Sequence, residues 1–165
     1  MNITYNDKVY YFNKFQTLDE LLSKPEFIEL PLSIWKELLI LKEGSVSITT
    51  LKKVLTSKIN YYDSSINVNA FIFRGNTCWI DKNTRVGLVN LANSVSEPIS
   101  LFLDPEFIEL DPELLKQYLA QIEWYAGKCY VNTQKHLQAV KTINTIDNLT
   151  DYDYTTGYPE KITLE

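Results

Sequence analysis

A long run of regularly spaced apolar residues near the C-terminus constrains the fold of this 165-residue chain more than any other feature. Between residues 112 and 142 they recur every three or four positions, the period of one face of an α-helix. The members of this seam are Leu115, Leu119, Ile122, Ala126, Cys129, Thr133, Leu137 and Val140. The pattern predicts a single helix about 45 Å long. Asp111 is a suitable N-cap, and Pro112 fits the first helical position, where its missing N–H costs nothing.

A second stripe on the same predicted helix consists of Leu114, Tyr118, Tyr125 and Tyr130. A helix of this length exceeds the span of a domain of about 100 residues, whose radius of gyration is about 13 Å. We therefore expect the second stripe to be covered by the N-terminal part of the chain or by a second subunit. The four residues are the candidate interface of a homo-oligomer, most simply a dimer. The alternative is that the whole helix packs within one chain, with a bend near Gly127.

The first third of the chain predicts an N-terminal arm of short helices and strands, residues 1–57. "NITYNDKVYYF" is typical of a hairpin that turns at "ND". "TLDELLSK" predicts a short helix in which Thr17 and Glu20 form a capping box. "LSIWKELLILKEG" predicts a helix that Gly44 ends, and "SVSI" predicts a strand-like piece before the helix "TTLKKVLTSKI".

The rest of the chain predicts a compact α+β domain over residues 58–165, with small antiparallel hairpins packed on the long helix and a shorter one. "NAFIFRGNTCWID" favours a hairpin around Gly75-Asn76. With that turn, Phe71, Phe73, Cys78 and Ile80 share one face, while Ile72 and Trp79 share the other. Asp81 then caps a helix that runs to about Asn93, and "ISLFL" and "EFIEL" form a second extended pair.

The hexapeptide "PEFIEL" occurs twice, at residues 25–30 and 105–110. Both copies precede a predicted helix start, so both are expected to be extended. Beyond these positions the two segments diverge, and a repeat array needs at least three self-similar units. We interpret the two copies as the same local sequence used twice where a strand is followed by a helix, and not as a repeat or a shared binding motif.

Composition limits the partners of the chain. The net charge is −5: residues 1–57 carry seven basic and seven acidic residues, and residues 58–165 carry nine and fourteen. An acidic body repels phosphate backbones, so we expect no nucleic-acid binding. The longest apolar runs are far too short for a bilayer and the first residues lack a signal-peptide pattern, so we expect no membrane association and synthesis in a cytoplasm. Cys78 and Cys129 are expected to be core thiols in a reducing compartment.

No residue pattern in the chain indicates catalysis, a cofactor or a metal. His136 is the only histidine, and no second ligand stands at zinc spacing, so a structural role is expected for it. Asp151 and Asp153 lack the ligand run of a calcium loop and are expected to shape a turn instead. The five glycines form no phosphate-cradling pattern.

Residues from about 59 to the C-terminus resemble a known family. "INYYDSSINVNAFIFRGNTCWIDKNTRVGL" is similar to its opening, "LDPELLKQYLAQIEWYAGKCYVNTQKHLQAVKTI" to its long helix, and "DYDYTTGYPEKITL" to its ending. The residues that carry the resemblance are Tyr62, Asp63, Ser64, Ser65, Val68, Asn69, Trp79, Asp81, Arg85, Tyr125, Ala126, Cys129, Tyr130, Thr133, His136, Tyr152, Asp153, Tyr154, Gly157, Tyr158 and Pro159. The family is a domain of unknown function that recurs in tailed-bacteriophage genes, often beside or within tail-fibre and tail-assembly proteins.

The resemblance implies a non-catalytic structural protein of a phage virion that forms or attaches a tail or head fibre. Its partners would then be itself and other virion proteins of the fibre, capsid or tail, and it would be made in the cytoplasm of the host bacterium. Two alternatives are an assembly chaperone that is not retained in the particle, and a small enzyme. Family members carry a longer connection with a Trp before the second hairpin, whereas "NSVSEPISLFL" is short here. Residues 1–57 lie outside the resemblance.

Overall fold

The computed structural model describes residues 1–165 and has an α+β fold, as predicted, with eight helices and seven strands. The strands form two two-stranded hairpins and one three-stranded sheet. The chain divides into two compact units. Unit 1 consists of Met1–Tyr61 and Thr133–Thr156, and unit 2 consists of Tyr62–Asn132 and Gly157–Glu165.

Unit 1 is mostly helical. Its elements are β1 (Asn2–Tyr5), β2 (Lys8–Tyr11), α1 (Leu18–Leu22), α2 (Pro25–Ile28), α3 (Leu32–Glu43), most of α4 (Ile48–Asp63), the end of α7 (Pro112–Thr142) and α8 (Ile146–Thr150). The predicted β1–β2 hairpin turns at Asn6 and Asp7, which both have positive φ. Thr17 and Glu20 form the predicted capping box on α1, and Gly44 ends α3 in the left-handed conformation with φ 80°.

The core of unit 1 surrounds Trp35, which is completely buried and donates from its indole N–H to the carbonyl of Phe27 at 2.9 Å. Leucine side chains from α1, α3 and α4 pack around it. The last part of α7 and α8 contribute Val140 and Leu149 to the same core. The helical segment after residue 132 is therefore part of this unit and not of the other.

Two predictions for unit 1 are wrong. The first "PEFIEL" copy forms α2 instead of an extended stretch, because helices flank it and no partner strand stands beside it. As a helix it buries the adjacent residues Phe27 and Ile28 together, whereas a strand would point them to opposite faces. "SVSI" is not a strand: Ser47 Oγ accepts a hydrogen bond from the Thr50 N–H at 3.0 Å and so caps the start of α4.

Unit 2 packs small sheets against two helices. Its elements are α5 (Ile66–Asn69), β3 (Phe71–Phe73), β4 (Asn76–Cys78), α6 (Lys82–Ser94), β5 (Ile99–Leu103), β6 (Glu106–Leu110), the first part of α7 and β7 (Thr163–Leu164). Strand β3 pairs antiparallel with β4 and parallel with β7, and β5 pairs antiparallel with β6. The second "PEFIEL" copy is thus extended, as predicted, because Ile99–Leu103 lies directly beside it. The Asp104–Pro105 peptide bond between these strands is cis.

The β3–β4 hairpin turns one residue earlier than predicted. Phe73 pairs with Asn76, and the turn residues Arg74 and Gly75 both have positive φ. The predicted faces are nevertheless correct. The inner face of Phe71, Phe73, Cys78 and Ile80 is buried, and it packs in one core with Leu115, Leu119 and Ile122 of the α7 seam.

The long helix has the predicted bounds, but the predicted boundary between arm and domain at residues 57 and 58 does not match the compact units. The N-terminal 61 residues form a unit only together with Thr133–Thr156. The physical reason is the core around Trp35, which Val140 and Leu149 help to complete. The contacts of residues 58–165 are therefore divided between the two units.

Candidate binding groove

The four residues of the predicted oligomer interface have different environments. Tyr118 and Tyr125 are 8% and 2% exposed, and their hydroxyl groups donate to the backbone carbonyls of Glu165 and Val68. Burial raises the pKa of Tyr125 well above its usual value. Leu114 and Tyr130 are exposed. Because the chain itself covers two of the four residues, the stripe does not require a second copy. Self-association stays a prediction. Of the four residues, only Leu114 and Tyr130 are exposed enough to contact a second copy.

Two of the three residues that were assigned structural roles, His136 and Asp153, make side-chain contacts that fit those roles. His136 is buried, with Nδ1 2.7 Å from the Tyr152 hydroxyl and Nε2 2.9 Å from the Thr156 carbonyl. Asp153 accepts hydrogen bonds from the backbone N–H and the hydroxyl of Thr155, at 2.8 and 2.6 Å. These bonds lower the pKa of Asp153 and shape the turn after α8. Asp151 follows as the C-cap residue of α8.

Both cysteines are free and buried in unit 2, as predicted. Burial raises the pKa of Cys78 and of Cys129, which keeps both thiols protonated and weakly reactive. No three His, Cys, Asp or Glu side chains converge in a way that could hold a metal ion. None of the helices is both long enough and apolar enough to cross a membrane.

A cleft of about 720 Å³ lies in unit 2. Its floor is one face of α7, where Glu123, Ala126, Gly127 and Tyr130 follow each other along the helix. Ala126 and Gly127 leave the middle of this floor without large side chains. A Cβ atom added to Gly127 would meet nothing within 4 Å, so the space above it is open.

The ion pair of Arg85 and Glu123 ties one wall of the cleft to the floor. Arg85 lies on α6 and is only 5% exposed, and its Nε donates to Glu123 Oε1 at 2.5 Å. The NH1 group of the same guanidinium donates to the Ile80 carbonyl at 2.6 Å. A buried arginine needs such partners, since an uncompensated buried charge is very costly. The pair therefore fixes the cleft shape where α6 approaches α7.

The remaining walls carry further polar groups that the fold also holds in place. Asp81 caps α6, with Oδ1 3.0 Å from the Thr84 N–H and Oδ2 2.5 Å from the Thr84 hydroxyl, and these bonds lower its pKa. On the opposite wall the Asn69 side chain donates to the Asp63 carbonyl at 2.5 Å. Such groups lose little conformational freedom when a ligand contacts them.

A second, smaller cavity of about 290 Å³ adjoins the cleft, because Trp79 and Asp81 line both. Its other lining residues come mainly from α6 and β5 and are largely apolar, including Leu88, Leu101 and Phe102. We call the two cavities together the Trp79 groove. The charged lining residues are concentrated in the cleft, whereas Asp81 is the one charged residue that lines the smaller cavity.

Exposed aromatic rings stand around the Trp79 groove. Trp79 is 42% exposed and Tyr130 is 58% exposed. Phe102 at the smaller cavity packs against Phe107 across the β5–β6 hairpin, with ring centroids 4.9 Å apart, and both rings are exposed. Of the eighteen exposed large hydrophobic residues of the chain, eleven belong to unit 2. Aromatic residues exposed in this way are enriched at protein interfaces.

The whole net charge of the chain lies in unit 2. This unit has six basic and eleven acidic residues, a net charge of −5, whereas unit 1 has ten of each. In the cleft three carboxylates, those of Asp63, Asp81 and Glu123, meet two cations, Lys82 and Arg85. Arg85 is engaged with Glu123 and Lys82 is exposed, so the lining of the cleft has one carboxylate more than it has cations.

Sequence reasoning did not find this groove, because its residues come from four separate segments. Eight of the twelve residues that line the cleft do belong to the set that carries the family resemblance. They are Asp63, Ser64, Asn69, Trp79, Asp81, Arg85, Ala126 and Tyr130. The predicted outward orientation of Trp79 on its hairpin was the one signal in the sequence that pointed to this surface.

No protein-family model, curated protein or solved structure matches this chain. The resemblance to the phage domain therefore remains a prediction from the sequence. The Trp79 groove is therefore the structural basis for a proposal about function.

Proposed function

We propose that this chain is a non-catalytic structural protein of a tailed-bacteriophage particle, in which it forms or attaches a tail or head fibre. The phage setting rests on the sequence resemblance, and the contact surface is the Trp79 groove of unit 2. After synthesis in the cytoplasm of the host bacterium, the protein is incorporated into the virion.

The observation that carries the binding role is the groove itself. Its size lies in the range of ligand sites, and the exposed rings of Trp79 and Tyr130 flank it. Rings of this kind dominate the energy of protein interfaces, because they bury a large area and carry a polar end. Eight of the residues that carry the sequence resemblance line the same cleft.

Three of the five charged side chains that line the cleft are engaged in holding the fold. Asp81 caps a helix, and Arg85 is bonded to Glu123 and to the Ile80 carbonyl. Groups fixed in this way present a rigid surface of defined charge, which suits a permanent contact in a particle.

Quantitative mass spectrometry of density-purified particles tests the proposal. We expect the protein in the particle at a fixed copy number relative to the capsid protein. A protein that is abundant in infected cells but absent from purified particles would contradict the structural role. If it were then bound to unassembled fibre protein, it would instead be an assembly chaperone.

A further inference from the structure

We infer that the Trp79 groove binds a short segment of a partner polypeptide that carries a basic side chain next to an apolar one. The basic side chain enters the cleft beside Asp81 and Glu123, and the apolar side chain enters the smaller cavity beside Leu101. The inference rests on the proposed function in one respect, namely that the partner is a protein.

The first argument is the division of the groove into two halves. Five charged side chains line the cleft, whereas Leu88, Leu101 and Phe102 line the smaller cavity, and Trp79 lines both. A polypeptide segment places side chains of different chemistry at neighbouring positions, so it can fill both halves at once. Its backbone N–H and C=O groups can also use the donors and acceptors along the walls.

The second argument is charge complementarity. Unit 2 holds the entire net charge of −5, and the cleft has more carboxylates than cations. A basic partner would be attracted towards this unit and an acidic one repelled. Exposed Trp79 and Tyr130 add ring faces against which an arginine or lysine side chain can stack. The chain itself shows such a contact, with Lys128 Nζ 3.4 Å from the centroid of the Trp124 ring.

The third argument is the open floor. Gly127 lies within a long helix, where glycine is less stable than alanine by about 0.5 to 1 kcal/mol. An added Cβ would meet nothing within 4 Å, and its φ is not positive, so the fold does not require glycine here. The missing side chain leaves space for a ligand to approach the helix backbone.

Selection of a random twelve-residue peptide display library on the immobilised full-length protein tests this inference. We expect enriched peptides that carry arginine or lysine within two or three positions of an aromatic or aliphatic residue. Their affinity, measured by fluorescence anisotropy of labelled copies, should fall about tenfold or more in Gly127→Leu, which fills the floor, and in Trp79→Ala. Binding should also weaken between about 50 and 500 mM salt because screening reduces charge attraction.

Gly87→Leu is the matched control. Gly87 is also an exposed helical glycine with nothing within 4 Å of an added Cβ, but it lines neither cavity. Its peptide affinity should stay within about twofold of the original protein. Since leucine is a good helix former, both variants should fold, which circular dichroism verifies.

Three results would overturn the inference. The first is a library that yields no consensus, or an acidic one. The second is a set of peptides that bind Gly127→Leu as tightly as the original protein. The third is binding to neutral glycans on an array, lost in Gly127→Leu, with no binding to any peptide. The proposed function fails separately: absence of the protein from purified particles would contradict that function even where the library yields the expected peptides.

Discussion

Lys58 is a buried lysine whose Nζ lies 2.6 Å from the backbone carbonyl of Leu30, and the carbonyl of Ile28 lies at the same distance. The side chain thus satisfies two carbonyl groups at the end of α2. We expect Lys58→Met to lower the free energy of unfolding by about 2 kcal/mol or more at pH 9.5, because both buried carbonyls lose their donor. Urea unfolding followed by circular dichroism measures the change.

The stabilisation by Lys58 should depend on pH. Burial lowers the pKa of Lys58 from 10.5 to about 8. Between these values the unfolded chain holds the proton and the folded chain does not, so the stability from this group rises with pH. From pH 7.5 to 9.5 the stability difference between the original protein and Lys58→Met should grow by about 2 kcal/mol at most. Exposed Lys14→Met is the control and should show no such growth; a flat difference for Lys58 would refute the prediction.

Removing only the Glu123 carboxylate should lower the stability of unit 2 more than removing both charges of the Arg85–Glu123 pair. Glu123→Gln leaves the guanidinium buried without its counter-charge and should destabilise unit 2 by about 1 to 3 kcal/mol, reduced from the fully buried case because Glu123 is half exposed. The double variant Arg85→Met/Glu123→Gln removes the buried charge and should recover part of the loss. A double variant no more stable than Glu123→Gln alone would show that the unpaired buried charge is not the cause.

Two glycine substitutions should change stability in opposite directions. Gly157 has φ 77°, and an added Cβ would lie 2.9 Å from Asn132 Oδ1, so Gly157→Ala should cost about 1 to 2 kcal/mol. Gly127→Ala should add about 0.5 to 1 kcal/mol, since alanine favours the helix and meets no neighbour. Thermal unfolding of both variants beside the original protein measures the two signs. Equal shifts in one direction would contradict the environments described for these glycines.

Both thiols should be slow to react in the folded protein. Cys78 and Cys129 are buried, and burial raises their pKa values, so little thiolate is present near neutral pH. We expect an aromatic disulfide reagent to modify both within minutes in urea and far more slowly in its absence. Fast modification without urea would indicate that the core around Cys129 opens readily.

Local signals predicted much of the fold. Contiguous stretches of sequence predicted the capping box of Thr17, the left-handed Gly44 at the end of α3 and the apolar seam of α7. The structure has all three at the predicted positions. The two copies of "PEFIEL" show the limit of such signals. Identical residues form a helix in α2 and a strand in β6, because only the second copy has a neighbouring strand to pair with.

Tertiary contacts explain what the sequence could not predict. The second stripe of α7 was expected to need cover from the N-terminal part of the chain or from a second subunit, yet Tyr118 and Tyr125 donate to backbone carbonyls in distant segments of their own unit. The Trp79 groove also arises from tertiary contacts. Trp79, Arg85 and Gly127 are far apart in the sequence and line one cleft only because α6 packs beside α7. No spacing rule along the chain predicts either arrangement.

Photo-cross-linking in the assembled particle tests the central proposal most directly. A benzophenone amino acid is placed at Trp79 in one variant and at exposed Tyr11 of unit 1 in the other, each supplied during infection. We expect irradiation of purified particles to join the Trp79 variant to a second virion protein, and the Tyr11 variant to give much less of that product. A product from Tyr11 alone, or no cross-linked virion protein from either position, would contradict a fibre contact through the Trp79 groove.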